Sequence, residues 1–569
     1  MKSPIHPITL LLLLGISSPA LAQTLGTSRP VVGQLLPVYF TSTPGNLYVT
    51  HAAIPPLVSI KIPGISGILR LDHQSLISLY SGTVPATGTD RKFLDIPNET
   101  KFIGAKIALQ ALDVRKSANP ALSNAIKLTF ESAEPRPNIV LIVADDLGYG
   151  TLSSYGGKAL ATPNIDSIAK NGVRFTDAYV TAGSCSPSRA GMLTGRYQQR
   201  FGFEFNAGTL SRTINNPIGI DPKEKTLGDL MQSASYKTGL VGKWHLGVQK
   251  QFLPNGRGFE EFFGFPGGAS CYMPCPTRGN PIESSIFRND KPVVENTYLT
   301  DAFAREAVAF IDKHKSERFF LNVSFNAVHT PLEATNKYLQ CFAHIADMDT
   351  RYYLAMTSAL DTAVGTILSA LRDRHLEQDT LVIFVSDNGG TNSFQKKIGA
   401  NAPLRLGKLY LFEGGTRIPL LMQWPRVLAK DTVYREPVHS LDLLPTVVAA
   451  TNAKLPTAAI DGIDLVPYLK QTRQGPPHEF LFWRNGPETR AVRSGKWKLI
   501  RSVQGSTWLY DLSTDIGETK NLATQQPAIL KWLDGALSTW SAGLKVPAWK
   551  YRTGSQTVTI DGQPYRVNI

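Results

Sequence analysis

Cysteine is scarce, four in 569 residues, and charged side chains make up 18% of the chain against 42% hydrophobic ones. The first scarcity excludes a small scaffold that relies on bridges in place of a core. The second excludes an intrinsically disordered chain, since so much apolar surface can be buried. After residue 22 no apolar run is expected to provide the ~20 residues that a spanning helix needs, so no stable membrane span is predicted. Internal repeats, low-complexity tracts and basic runs are missing too, and with them the marks of a nucleic-acid binder. Yet 59 basic and 45 acidic residues leave a formal charge of +14 at pH 7. An excess of that sign without a nucleic-acid motif suits an acidic substrate, and part of it serves solubility.

What is there begins with an export leader. Lys2 precedes an apolar run from Ile8 to Ile16, and Ala20-Leu21-Ala22 supplies small residues for cleavage before Gln23. Residues 1–22 are read as a signal peptide, which sends the mature chain to the periplasm or the extracellular space. Residues 23–131 carry alternating or β-rich runs, among them Leu57 to Ile62, Ile107 to Val114 and Ala125 to Phe130, between turns bearing Pro and Gly. That pattern predicts an N-terminal all-β domain, followed by a proline-bearing linker at 132–137.

From Asn138 the pattern changes. Asn138 to Val143 is an apolar run of the kind a buried parallel strand shows. Helix-like and strand-like stretches then alternate: Asn164 to Asn171, Thr226 to Ser235, Leu299 to His314, Arg318 to Val323, Tyr352 to Arg374 and Thr380 to Ser386. Such alternation predicts an α/β domain over 138–475, with helices on both faces of a sheet. Residues 476–569 read as a small α+β subdomain and tail. There Arg490 to Ile500 and Trp508 to Leu512 are expected to pair as antiparallel strands ahead of a helix at about 526–540.

Chemistry concentrates where apolar runs end. Asp145-Asp146 follow the first strand of the α/β domain, and Asp387-Asn388 follow the run Leu381 to Ser386. Open α/β sheets place ligands at the carboxyl ends of their strands. Three carboxylates and an amide oxygen would there form a hard, all-oxygen set suited to calcium or magnesium; either pair alone would serve equally as a cap or a turn. Between them lies Gly183-Ser184-Cys185-Ser186-Pro187-Ser188-Arg189-Ala190-Gly191-Met192-Leu193-Thr194-Gly195-Arg196. A structural cysteine before a capped helix would explain its serines and proline, but not Arg189, Thr194 and Gly195 together.

The C-x-P-S-R-x-x-x-x-T-G spacing has six fixed positions, which chance would place in a chain of this length about once in a hundred thousand. On these residues the chain resembles the type I, formylglycine-dependent sulfatases of the alkaline phosphatase superfamily. Three further blocks carry the resemblance: Val241 to Gly247 with Lys243 and His245, Asn326 to Pro331 with His329, and Gly407 to Pro419 with Lys408. It spans about 137 to 541 and leaves the N-terminal β domain outside. Thr151 departs from it, standing where relatives often have an acidic residue.

The resemblance implies an alkaline-phosphatase-like mixed sheet flanked by helices and a sulfuric ester hydrolase, arylsulfatase-like, acting on a sulfated carbohydrate or aryl sulfate. It implies that a maturation enzyme oxidises the Cys185 side chain to an aldehyde, whose hydrated form attacks sulfur. Calcium, ahead of magnesium, would be held by Asp145, Asp146, Asp387, Asn388 and residue 185. Arg189, Lys243 and Lys408 would balance the anion, His245 would act as base in releasing sulfate, and His329 with Lys408 would protonate the leaving group. A phosphate or phosphonate ester hydrolase is the alternative within the same superfamily, and a non-catalytic glycan-binding protein the alternative outside enzymes. With Cys185 so committed, Cys271 and Cys275 are placed to close a small disulfide loop; zinc is the other reading, without a histidine at finger spacing.

Overall fold

In a computed structural model of the chain, the described residues are the strands between positions 35 and 129 together with 136–207, 218–275, 284–550 and 554–568. Residues 1–22, read above as an export leader, lie outside them. The chain divides into two compact units, residues 1–135 and 136–569. In the first unit Leu47–Ala53 pairs antiparallel with Ile77–Thr83 and with Lys106–Val114, while Leu35–Thr41 pairs antiparallel with Thr89–Asp95.

The second unit is built on a ten-stranded mixed sheet. In chain order its strands are β1 (Asn138–Ala144), β2 (Val173–Phe175), β3 (Lys237–Lys243), β4 (Glu261–Phe265), β5 (Phe287–Arg288), β6 (Lys291–Pro292), β7 (Phe319–Ser324), β8 (Thr380–Ser386), β9 (Leu420–Gln423) and β10 (Thr432–Tyr434). They lie in the order β6-β5-β4-β3-β7-β1-β8-β9-β2-β10. The middle five, β4 to β8 across the sheet, are parallel, and β9 turns the direction on one side as β5 does on the other.

Every residue of β1, β7 and β8 is buried, as parallel strands covered on both faces must be. Alternate residues of β1 feed two cores. Val140, Ile142 and Ala144 pack with helices α1 (Pro163–Lys170), α4 (Leu299–His314) and α5 (Met348–Asp373). Ile139, Leu141 and Val143 pack with α2 (Cys185–Thr194), α3 (Leu227–Ser233) and α6 (Leu443–Thr451).

Two sequence readings need correction. Helix α5, 26 residues with a mean hydropathy of 1.4 over its most apolar window, is long and apolar enough to cross a membrane. It is a core helix, however, with 78% of that window buried and Leu360, Val364 and Ile367 fully enclosed. The stretch from Arg490 to Ile500 is not one strand but a hairpin, Arg490–Ser494 against Trp497–Arg501, folded at Gly495 with φ +52°. With Leu481–Arg484 and Thr507–Asp511 it makes a four-stranded antiparallel sheet, on which α7 (Pro527–Ala542) packs Leu533 and Leu537 against Val492, Leu499 and Leu509.

Candidate active site

The register sets the floor of the site. Ala144 of β1 lies opposite Ser386 of β8, Val143 opposite Ser324 of β7, and Ser324 opposite Gly242 of β3. Four strands therefore end at one level, and the residues that follow them meet: Asp145-Asp146 after β1, Asp387-Asn388 after β8, Lys243 at the tip of β3 and the turn Asn326 to Pro331 after β7. Crossed backbone bonds lock the ends, from Asp387 N–H to the Ala144 carbonyl at 3.0 Å and from Asp145 N–H to that of Ala327 at 2.9 Å.

Cys185 opens α2, all ten residues of which are buried. Its N-terminus, the positive end of the helix dipole, lies beside the acidic cluster. Its first-turn N–H groups are nevertheless engaged: that of Ser186 donates to Asn206 Oδ1 at 3.1 Å, that of Ser188 donates to the Ser184 carbonyl at 3.3 Å, and Pro187 has none. Arg189, four residues on, lies on the same helix face. The Cys185 Sγ is 3.5 Å from Asp145 Oδ1 and 3.9 Å from Asp146 Oδ1. Burial pushes the thiol up to about 12, against the pull of Lys243 and Lys408, so at neutral pH it is not a thiolate.

Each carboxylate faces its own cation. Lys243 Nζ lies 2.6 Å from Asp145 Oδ2, Lys408 Nζ 2.8 Å from Asp146 Oδ1, and Arg189 Nε 2.8 Å from Asp387 Oδ2. Burial alone would raise the Asp146 carboxyl, but Lys408, His329 and Lys243 hold it well below the usual range. At Asp387 burial wins, helped by repulsion from Asp145, and lifts it to about 6 despite Arg189.

The two histidines differ. His329 Nδ1 is 2.6 Å from the Thr330 carbonyl, which places a proton there, and Nε2 stands 3.8 Å from Asp146 Oδ2. Burial and then Lys408 lower it to about 3, so the ring is neutral. His245 follows Lys243 with φ +63°. Its backbone carbonyl takes the Ser186 hydroxyl, its Nδ1 is buried without a partner, and its ring lies against Gly268, where a Cβ would come within 2.6 Å of Nε2. Burial, with Lys243 and Arg189 nearby, holds it well below the ordinary histidine value.

Lys408 reaches the site because two glycine-rich loops pack backbone to backbone. A Cβ on Gly389 would fall 1.7 Å from the Gly414 carbonyl oxygen. Lys408 N–H donates to the Gly390 carbonyl at 2.9 Å, and Asn401 splints the loops by accepting from Gly390 N–H at 2.8 Å and donating to the Leu406 carbonyl at 2.9 Å. Sequence reasoning passed over Asn401, and also Gln395, whose amide donates to the Asp146 carbonyl at 3.3 Å. Polar loop residues have no period to betray them. The departure at Thr151 does not touch the cluster: its hydroxyl lies 2.8 Å from that of Tyr353.

Potential ligand atoms of Asp145, Asp146, Cys185 and His329 all fall within 4.8 Å of one another. Asp387 and Asn388 adjoin them, through Asp146 N–H to Asp387 Oδ1 at 3.2 Å and Asn388 Nδ2 to Asp146 Oδ1 at 2.7 Å. The Asn388 Oδ1 is buried with no hydrogen-bond donor. Three enclosed carboxylates and an orphaned amide oxygen fit a hard divalent cation. The nominated residues thus converge, His245 being buried within reach of the charges of Lys243, Arg189 and Lys408. Cys271 and Cys275 are disulfide-bonded, which removes the zinc reading.

A mixed α/β sheet carrying its acids, cations and helix-borne cysteine at one end is the architecture of the alkaline phosphatase-like hydrolases. Within that class the Sulfatase family model matches residues 137–453 and the N-sulphoglucosamine sulphohydrolase C-terminal model matches 406–537, so the chain belongs to the sulfatase family. It is similar to arylsulfatase A of Bos taurus, 36% identical over 450 residues that cover 70% of this chain and 86% of that protein. It is also similar to N-acetylgalactosamine-6-sulfatase of Rattus norvegicus, 34% identical over 413 residues, with 68% and 76% covered. The crystal structure of Ps i-CgsB in complex with k-i-k-neocarrahexaose superposes with a TM-score of 0.68 at 35% identity, covering 74% of this chain and 95% of that one. The protein is a sulfatase, and its family implies a sulfated substrate, a divalent metal and a formylglycine.

Proposed function

We propose that this protein is an exported hydrolase of sulfated carbohydrates in which residue 185 works as formylglycine beside a calcium ion held by Asp145, Asp146, Asp387, Asn388 and residue 185. The observation that carries the reading is the meeting of the Cys185 side chain with three carboxylates, three cations and a neutral histidine at the ends of four strands. A buried thiol with its pKa near 12 is a poor nucleophile as it stands, which suits a cysteine destined for oxidation by a maturation enzyme. Hydrated formylglycine at position 185 would supply a hydroxyl nucleophile in place of the thiol, and a cation held by the acids would supply Lewis-acid charge toward the sulfuryl oxygens.

The remaining work falls to side chains. Arg189, Lys243 and Lys408 face the anion with fixed positive charge, worth more in an enclosed site than in water. His245 takes a proton in the step that releases sulfate. His329 gains a proton as the substrate anion arrives and, with Lys408, passes it from Nε2 to the departing oxygen. A carbohydrate leaving group is supported by the similarity to a sulfatase structure holding a carrahexaose and by the excess positive charge of +14. The leader at 1–22 supports export.

Peptide mass spectrometry across Cys185 tests the reading, together with turnover of a sulfate and a phosphate ester of one alcohol. The expected peptide is lighter than the cysteine form by the difference between CH2SH and CHO, with the sulfate ester preferred. Full activity in Cys185→Ala, or preference for the phosphate, would sink it.

A further inference from the structure

Beneath the turn that carries His329 sits a tyrosine for which the reaction gives no role. Tyr272 is fully buried, and its hydroxyl proton is shared between the backbone carbonyls of Asn326 and His329, the latter at 2.8 Å. The same Asn326 carbonyl takes the His329 N–H at 2.8 Å, so the hydroxyl sits at the bond that closes the turn. The grip is returned from the other side: Glu333 Oε2 accepts the backbone N–H groups of Tyr272 at 2.8 Å and Met273 at 3.1 Å. Tyr298 stacks on Tyr272 with ring centroids 5.7 Å apart and donates to the Glu333 carbonyl at 2.9 Å. The Cys271–Cys275 disulfide brackets the tyrosine and restricts the conformations its loop can adopt.

What this clasp holds still is an imidazole. His329 has no side-chain hydrogen bond to a fixed carboxylate; its Nδ1 bonds only to the carbonyl of the next residue in the same turn. Ring orientation therefore follows the backbone of the turn, which Asp145 holds at Ala327 and Val328 and Tyr272 holds at Asn326 and His329 itself. A proton donor misplaced by about 1 Å can lose most of its advantage, whereas the sulfate-binding cations stand on β3, α2 and the Lys408 loop and would not move with it.

We propose that Tyr272, fixed by the Cys271–Cys275 disulfide and by Glu333, is a positioning residue that aims His329 at the leaving oxygen. The inference rests on the proton-donor role given to His329 above. It predicts an effect on kcat that grows with leaving-group basicity and leaves substrate binding alone.

The test compares phenyl sulfate with 4-nitrophenyl sulfate in Tyr272→Phe, which keeps the buried ring and removes only the hydroxyl. Loss of one well-placed hydrogen bond should lower kcat on phenyl sulfate by about tenfold and on 4-nitrophenyl sulfate by about twofold or less, with KM little changed. In a His329→Ala background the same substitution should add nothing. The Cys271→Ser/Cys275→Ser double variant should shift the two esters in the same unequal way. Equal losses on the two esters, no loss on either, or full additivity with His329→Ala would overturn the proposal. If His329→Ala alone slows both esters equally, the proton-donor reading falls and this one with it; if His329→Ala is selective and Tyr272→Phe is not, only the present proposal falls.

Discussion

Asp387 is the residue at which a bound cation should be easiest to detect. Its carboxyl is raised from 3.8 to about 6 by burial and by Asp145. A raised acid is favoured in its protonated form, so the stability tied to it is present below the unfolded pKa and is lost as pH climbs through about 6. A shift near two units corresponds to roughly 3 kcal/mol, and a cation that pairs with the ionised form should restore it. Calcium is therefore expected to raise the melting temperature of chelator-treated protein strongly at pH 7.5 and weakly at pH 5, with Asp387→Asn abolishing the contrast. Equal stabilisation at both pH values would show that the ion binds elsewhere. The histidines give a second residue-scale prediction. His329→Ala should lose about 10²–10⁴ in rate on a carbohydrate sulfate and markedly less on nitrophenyl sulfate, as a general acid does. His245→Ala should slow both and let a sulfated enzyme accumulate in single-turnover measurements; identical profiles for the two variants would merge their roles.

At the scale of elements, the site depends on loops that approach more closely than side chains allow. Gly389→Ala would drive a Cβ into the Gly414 carbonyl, and neither loop has a flexible side chain there to give way. A cost of about 3 kcal/mol or more is expected, with loss of retained metal and of activity together, since Asn388 and Lys408 sit on the two loops forced apart. Calorimetry and metal analysis of the variant check both; normal metal content with a lowered melting temperature would separate the loops from the cation site. The same closeness explains what the sequence could and could not reveal. β1 and β8 were legible because strands buried on both faces are apolar runs, and the acids after them were legible because such runs stop abruptly. Cys185 and Arg189 were legible through the fixed C-x-P-S-R-x-x-x-x-T-G spacing; that they share one helix face emerged from the fold. The order of the ten strands was not legible, since pairing between residues as distant as Asn138 and Thr380 leaves no local trace. The hairpin at Gly495 was read through because the residues flanking its turn are as strand-like as the strands. Tyr272 and Asn401 were missed because they act on backbone groups, which every residue has.

At the scale of the whole molecule, the question is how the C-terminal sheet takes part in a site it does not line. The two matching family models overlap over 406–453, a stretch that begins with the Lys408 block, and there a buried ion triad joins them. Lys498 of the C-terminal sheet reaches Glu413 Oε1 at 2.8 Å and Glu518 Oε1 at 3.0 Å, all three side chains being fully enclosed. Glu518 in turn accepts the Glu413 N–H at 2.7 Å, and Glu413 also takes the Tyr179 hydroxyl at 2.6 Å. Burial raises Glu518, and Glu413 adds repulsion, to about 7 even with Lys498 beside it. Lys498→Met should therefore leave two buried carboxylates without their shared cation, a loss of about 3–5 kcal/mol where both are ionised. Because protonation of Glu518 relieves that repulsion, the penalty should be larger at pH 8 than at pH 6. It should also shrink in Lys498→Met/Glu518→Gln, which removes the lysine together with one of the two negative charges. Since Glu413 closes the loop that presents Lys408, kcat should fall with stability in the single variant and recover in part in the double. Denaturant unfolding at the two pH values measures the first effect and steady-state turnover the second. A pH-independent loss of stability would mean that packing of the lysine stem, and not its charge, ties the C-terminal sheet to the catalytic loop.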